Sequence, residues 1–130
     1  MVACENDESL LRFDPECPAF DAVWKAFQQH QQNLGGDSHI GRRLYGLFRR
    51  AGLSSVELSV QPEIHWQGSA GFVPWLRNLI GNVESARKGL IRSGLCSEQE
   101  IDAGIAEVAA LFQNDQASSV FVWNRAVGIA

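Results

Sequence analysis

Apolar residues recur at helical spacing in four stretches of the chain, and the first runs from Pro18 to Leu34. Proline suits the first turn of a helix, because its missing N–H group would have no partner there. The adjacent Gly35 and Gly36 are placed to end the helix. The spacing predicts a buried face made of Phe20, Val23, Trp24, Phe27 and Leu34.

The second helical pattern follows directly. Asp37 or Ser38 can accept hydrogen bonds from the free N–H groups at its start, and Gly52 is placed to end it in a left-handed conformation. Its predicted apolar face consists of Ile40, Leu44, Leu47, Phe48 and Ala51.

The third and fourth helical patterns lie close together. The third extends from Gly71 to Ser93, and Glu84 is spaced to pair with Lys88 on it. Ser97 and Glu100 form a capping box that starts the fourth. The predicted buried residues are Phe72, Leu76, Leu79, Val83, Ala86 and Leu90 in the third helix, and Ile101, Ile105, Val108 and Phe112 in the fourth.

Three stretches follow strand patterns. A short apolar piece, "MVAC", opens the chain. From Val56 to Trp66 the even positions are apolar, which predicts a strand with one buried face, and Pro62 places that strand at a sheet edge or at a bulge. Val120 to Trp123 is apolar at every position, which predicts an interior strand. The order of elements predicts an α/β or α+β fold in one domain spanning residues 1–130.

Composition narrows the functional classes. A chain of 130 residues with 45% hydrophobic residues can build one core. The net charge of −4 gives no basis for binding nucleic acid or an anionic membrane, and no apolar run approaches the ~18 residues that span a bilayer. We read no signal peptide. Cys4, Cys17 and Cys96 are widely spaced, which favours free thiols in the cytoplasm, and zinc is not expected because there is no C-x-x-C.

Gly41 and Gly46 have the spacing of a phosphate-binding loop. The residues that follow are Leu47 and Phe48, where such a loop needs Lys and Ser or Thr to hold phosphate and magnesium. The glycines also follow a predicted helix, where such a loop follows a strand. A nucleotide-binding loop is therefore disfavoured here.

A family resemblance accounts for this region better. The segments "GGD", "IGRRLYGLFRRAGL" and "VELSV" together resemble the C-terminal half of class I S-adenosylmethionine-dependent methyltransferases. "VACEND" resembles the fifth strand of that family with the acidic turn after it. "SVFVWNRAVGIA" resembles the closing strand, which lies antiparallel between strands five and six.

The resemblance spans nearly the whole chain and carries several expectations. It implies a partial Rossmann-like methyltransferase fold, with strands five to seven, an antiparallel last strand and about four helices. Residues 71–113 occupy the place where the family inserts a helical segment that covers the substrate. In the family, residues just after strand five line the substrate side of the pocket.

The chain departs from the family at the cofactor. The glycine-rich turn after strand one, the acidic end of strand two and the carboxylate near strand four are all missing from this sequence. S-adenosylmethionine is the cofactor of the full-length family, and we expect this chain alone to bind none, with no cofactor-binding and no metal-binding residues. A C-terminal piece of this kind would expose the flank of its first strand, so we expect a homodimer or a complementing chain.

The candidate site residues follow from these positions. We expect Glu5, Asp7, Gln31, Asp37 and Arg42 to contact a small-molecule acceptor, with His30 as a general base. Trp66 and Trp75 can wall an apolar or planar substrate. The alternative roles are solvated surface charge for the polar residues and core packing for the tryptophans, and core packing is the role we expect for Trp24 and Trp123.

These observations favour one function and leave a second open. The first is the acceptor-side part of a S-adenosylmethionine-dependent methyltransferase acting on a small molecule, inactive without its cofactor-binding half. The alternative is a non-catalytic α/β module that self-associates or complements a separate cofactor-binding chain.

Overall fold

Strand β4 (Ser118–Ile129) lies at the centre of a four-stranded sheet in the computed structural model, which describes residues 1–130. On one side β4 pairs along its whole length with β3 (Ser55–Trp66). On the other side it pairs first with β1 (Val2–Asn6) and then with β2 (Arg12–Asp14). All three pairings are antiparallel, so β4 lies between β1 and β3, and its predicted interior position is confirmed.

The link between β1 and β2 was not anticipated from the sequence. Asn6 stands opposite Trp123 and Arg12 opposite Val120, so residues 7–11 leave the sheet where β4 advances only through residues 121–122. The side chain of Asp7 accepts a hydrogen bond from the Ser9 N–H and starts a 3₁₀ turn over Glu8–Leu10. This turn carries Glu8 away from the sheet.

The four predicted helices are confirmed. They are α1 (Pro18–Asn33), α2 (Ile40–Arg50), α3 (Phe72–Arg92) and α4 (Glu98–Ala110), with a second 3₁₀ turn at Leu111–Gln113. Gly52 has the expected positive φ just after α2, and the capping box of Ser97 and Glu100 is present at α4. The predicted pair of Glu84 with Lys88 is wrong. Glu84 pairs with Arg87, which reaches on to Asp102 of α4.

Helices cover both faces of the sheet, which confirms a mixed α/β architecture. Helices α1, α3 and α4 pack on one face around a core of 18 buried residues. Helix α2 packs on the opposite face, where Leu44 and Phe48 meet Ala126. Residues 71–113 do not form a separate layer, because they supply nine of the 18 core residues: Phe72, Leu76, Leu79, Val83, Leu90, Cys96, Ile101, Val108 and Leu111.

The predicted buried face of β3 is wrong. Leu58, Val60, Ile64 and Trp66 are 57%, 64%, 51% and 57% exposed. Helix α2 covers this face only near Val56, while the larger helical layer covers the opposite face at the other end of the strand. The position of β3 at a sheet edge is as Pro62 indicated, and its register with β4 runs without a bulge.

Three helix positions also differ from expectation. Leu34 follows the last turn of α1 and is exposed, Leu47 of α2 points to solvent, and Ala51, the residue after α2, is exposed. None of the helices combines the length and the apolar character needed to cross a bilayer.

Gly104 provides a test of the packing between α1 and α4. A Cβ atom at this position would lie 3.0 Å from Val23 Cγ2 and 3.1 Å from the Ala19 carbonyl oxygen. We expect Gly104→Leu to lower the free energy of unfolding by about 3 kcal/mol, because the helices cannot approach as closely. The matched control is Gly81→Leu on α3, where nothing lies within 4 Å and a gain of up to about 1 kcal/mol is expected from helix propensity.

Urea denaturation of the two variants checks the prediction. Equal stabilities for the two variants would contradict the close approach of the helices.

Candidate functional site

A cleft of about 480 Å³ opens at the carboxyl end of β1. The end of α1 and the start of α2 form its walls. Ligands of α/β sheets commonly bind beyond the carboxyl ends of strands. The cleft is lined mainly by polar groups: Glu5, Asn6, Glu8, Gln31, Gly36, Asp37 and Ser38, together with Leu34 and Ile40.

The start of α2 lies unusually close to β1. A Cβ atom on Gly41 would be 2.7 Å from the Asn6 carbonyl oxygen and 2.6 Å from Asn124 Nδ2. Only glycine permits this approach, because both neighbouring groups belong to the sheet. The close packing holds the loop of Asp37 and Ser38 against the cleft.

Glu8 is a buried acid at the floor of this cleft. The residue is 8% exposed, and its N–H donates to the Ser38 carbonyl at 3.0 Å. Burial raises the pKa of its carboxyl to about 7, and the negative charge of Asp7 adds to the effect. A hydrogen bond from Gln31 acts in the opposite direction.

The orientation of the Gln31 amide is assigned from its hydrogen bonds. With its nitrogen toward Glu8, the amide donates to Oε2 at 2.7 Å and to Oε1 at 3.2 Å. Gln31, which the sequence marked as a substrate contact, is therefore also the polar partner of the buried acid.

A second, smaller cavity lies on the other side of Glu8. It measures about 80 Å³, and it shares Asn6 and Glu8 with the cleft. Its other walls come from α1, α3 and β4 and are largely aromatic: Trp24, Trp75, Asn78, Leu79, Asn82, Phe121 and Trp123. We call it the aromatic cavity. Its aromatic lining and its few amide groups are typical of small-molecule sites.

The indole N–H groups around the aromatic cavity already have partners. Trp24 donates to the Glu8 carbonyl at 2.8 Å and Trp75 to Ser119 Oγ at 3.0 Å. Trp123 donates to Glu63 Oε2 at 2.7 Å. These hydrogen bonds fix the orientation of the three rings, and Trp24 is also stacked between Phe20 and Phe27.

Asp7 and Arg42 are brought together by the fold. Arg42 Nε donates to Asp7 Oδ2 at 2.5 Å, and its Nη2 donates to Asp7 Oδ1 at 3.0 Å and to Ser9 Oγ at 2.8 Å. Burial alone would raise the pKa of Asp7, but hydrogen bonds from Arg42 and Ser9 outweigh it, and the pKa is lowered. Both residues were expected to contact substrate, and their charges are instead committed to each other beside the 3₁₀ turn.

Asp37 lies at the cleft and organises the loop before α2. Its carboxylate accepts from the His39 N–H at 3.0 Å and from Arg43 at 2.9 Å. The His39 ring bridges Gln32 at 3.1 Å and Gln28 at 3.0 Å, both on α1. The loop is therefore tied to α1, and the two walls of the cleft are connected.

Two predicted site residues lie elsewhere. The His30 ring turns toward α3, where a Cβ atom on Gly89 would be 2.5 Å from Nε2, and the residue does not line the cleft. Trp66 is on the opposite face of the sheet from Trp75, so the two do not form one wall. His65 stacks on Trp75, with ring centroids 5.5 Å apart.

The structure thus joins Glu5, Gln31 and Asp37 in the cleft and places Trp75 in the adjoining cavity. Glu8 was not predicted from the sequence, because a short 3₁₀ turn leaves no periodic signal. Asn78 and Asn82 did have a sequence signal that could have marked them as site residues, since amides spaced by one turn flank the apolar face of α3. Trp24 is in the core as expected, whereas Trp123 is partly buried, and both also line a cavity.

No cluster of three or more His, Cys, Asp or Glu side chains is arranged to hold a metal ion. Cys17 and Cys96 are buried and Cys4 is exposed, all three as free thiols. No protein-family model matches the chain, and a search of curated proteins finds no significant match.

Glu8 makes the stability of the fold depend on pH. Its pKa is raised from 4.5 to about 7, so the unfolded chain ionises first and stability is lost as pH rises through this interval. We expect Glu8→Gln to be more stable than the natural chain by about 3 kcal/mol at pH 8, and equal to it near pH 4. Denaturation curves across this range measure the difference.

The control is Glu98→Gln, an exposed acid on α4. Its stability is expected to follow that of the natural chain at every pH. A Glu8→Gln curve parallel to the natural one would show that Glu8 ionises as in water.

Proposed function

We propose that this chain is the acceptor-binding part of a S-adenosylmethionine-dependent methyltransferase that acts on a small molecule. One observation carries the proposal: β4 lies antiparallel between β1 and β3, and a polar cleft opens at the carboxyl end of β1. This is the arrangement expected from the likeness of β1, β3 and β4 to strands five, six and seven of a partial Rossmann-like fold.

The cleft and the aromatic cavity suit the binding of an acceptor. Methyl transfer depends mainly on holding the acceptor in line and in a matched electrostatic environment. Glu5, Gln31 and Asp37 present polar groups at the open cleft, and Trp75 presents an apolar surface in the adjoining cavity. Glu8 stands between the two and can hold a proton from the acceptor.

The residues of this chain do not fit the cofactor itself. A methyl-donor cradle of this family needs a glycine-rich turn between a parallel strand and a helix. The glycines with positive φ in this chain are Gly35, Gly52 and Gly94 at helix ends and Gly68 in a turn, and every strand pairing is antiparallel. The donor would therefore be held by another segment or another chain.

Cofactor binding tests this division. We expect isothermal titration of the 130-residue chain with S-adenosylmethionine to give no tight binding, because the donor cradle is missing. Tight one-to-one binding would overturn the proposal. The gene provides a second check: a glycine-rich strand–turn–helix encoded upstream of Met1, or in a neighbouring gene, is expected, and its absence from both would also count against the proposal.

A second candidate is a non-catalytic module that self-associates or complements another chain. The observation that favours it is the edge strand β3, whose outer edge is unpaired and whose exposed face carries Leu58, Val60 and Ile64. An exposed apolar edge strand is a template for pairing with another chain.

Light scattering at micromolar concentration tests this surface. We expect the natural chain to be a dimer or larger, and Val60→Lys to be a monomer, since a lysine on the apolar face would place an unpaired charge in the contact. Ser59→Lys is the control, because Ser59 is the exposed neighbour on the other face and the charge change is the same. A monomeric natural chain, or equal effects of the two substitutions, would refute self-association through this face.

A further inference from the structure

We infer that Glu8 and the indole rings of the aromatic cavity form a binding site for a small organic amine, and that Glu8 accepts a proton from the bound ammonium group. This inference deepens the proposed function, because it rests on that function to make the amine the methyl acceptor. The binding itself requires only residues of this chain.

The size of the aromatic cavity limits its occupant. Its volume of about 80 Å³ is roughly half that of an apolar cavity known to hold benzene, ~150 Å³. It suits a head group of a few heavy atoms, with the remainder of the molecule extending past Asn6 and Glu8 into the larger cleft.

The walls favour a cation. The N–H groups of Trp24, Trp75 and Trp123 are all engaged in hydrogen bonds. Because Trp24 is also stacked between Phe20 and Phe27, the electron-rich faces that can meet a ligand are those of Trp75 and Trp123. Such faces attract ammonium groups. The amide oxygens of Asn78 and Asn82, one helical turn apart on α3, can accept hydrogen bonds from an amine.

No basic side chain competes for the acid. Neither cavity is lined by Lys or Arg. Arg42, the nearby base, is held by Asp7 and Ser9. An amine that enters would therefore meet an acid with no cationic partner of its own.

The groups around Glu8 set how it titrates. Its own turn contributes Asp7, which is paired with Arg42. From α1 it meets the uncharged Gln31 and Gln28, and His39 reaches it only through Gln28. The other acids of the cleft are Glu5 from β1 and Asp37 from the loop before α2, and α3 contributes no charged group to the aromatic cavity.

Proton transfer to Glu8 is chemically balanced. One N–H bond of the ammonium breaks, its electron pair stays on nitrogen, and the proton forms an O–H bond with the carboxylate. A neutral amine and a neutral carboxyl result, and both are less costly to bury than an ion pair. The pKa of about 7 makes the carboxyl a suitable acceptor near neutral pH. The free electron pair is what a nucleophilic amine needs.

Titration of the full chain with tetramethylammonium chloride tests the site, at constant ionic strength and at about pH 5.5 and 8.5. We expect the affinity to be about 10-fold higher at the higher pH, because the probe is a permanent cation and the Glu8 carboxyl, which lines the cavity, gains its negative charge between the two pH values. The indole N–H resonances of Trp24, Trp75 and Trp123 should shift. Trp66, exposed on the other face of the sheet, should not.

Two controls isolate the acid and the charge. Glu8→Gln should remove the pH dependence, whereas Glu98→Gln should keep it. tert-Butanol, a neutral probe of similar size, should bind weakly and equally at both pH values. If Glu8→Gln fails to fold, the pH dependence of binding to the natural chain, compared between tetramethylammonium and tert-butanol, still tests the inference.

Several results would overturn the inference: binding that is independent of pH, unchanged binding by Glu8→Gln, shifts confined to Trp66, or no binding at millimolar probe. None of these involves a methyl donor. Amine binding without methyl transfer in a complete assembly would overturn the proposed function alone, and methyl transfer without amine binding would overturn this inference alone.

Discussion

The departure of residues 7–11 from the edge of β4 is the constraint on which both cavities depend. β1 and β2 pair with the same side of β4, but the chain between them is longer than the stretch of β4 that it passes. The extra residues form the 3₁₀ turn. The Trp24 indole donates to the Glu8 carbonyl and the Glu8 N–H donates to the Ser38 carbonyl, and these two hydrogen bonds hold the turn in place. If this segment continued as a straight strand, Glu8 would not lie between the helices and the cleft beside it would not form.

The turn carries two adjacent acids whose pKa values are shifted in opposite directions. Asp7 has the guanidinium of Arg42 and the hydroxyl of Ser9, and its pKa is lowered. Glu8 has only an amide from Gln31 and the charge of its neighbour, and burial raises its pKa to about 7. The first acid stabilises the fold at neutral pH and the second destabilises it. Natural proteins accept such a cost most often at functional sites, where a displaced pKa is useful.

The sequence predicted what depends on local periodicity. All four helices, the capping box of Ser97 and the interior position of β4 follow from spacing alone. The buried face of β3 does not, because burial there depends on which helices cover each end of the sheet. The candidate site was predicted in part: Glu5 and Gln31 lie near the ends of β1 and α1 and Asp37 lies in the loop before α2, and ligands commonly bind at such positions. Glu8 escaped because its burial results from tertiary packing around a turn.

The unpaired and uncovered parts of this molecule lie in its sheet and not in its core. The core of α1, α3, α4 and β4 is buried within one copy, with Phe20, Phe72 and Leu76 fully enclosed. What remains open is one face of β3 and the outer edges of β1 and β3. A partner would therefore add to a structure that is already formed, and exchange of core elements between copies is unnecessary. The cavities beside Glu8 and the exposed face of β3 can then be altered separately, since Glu8 and Val60 lie on different elements and share no cavity.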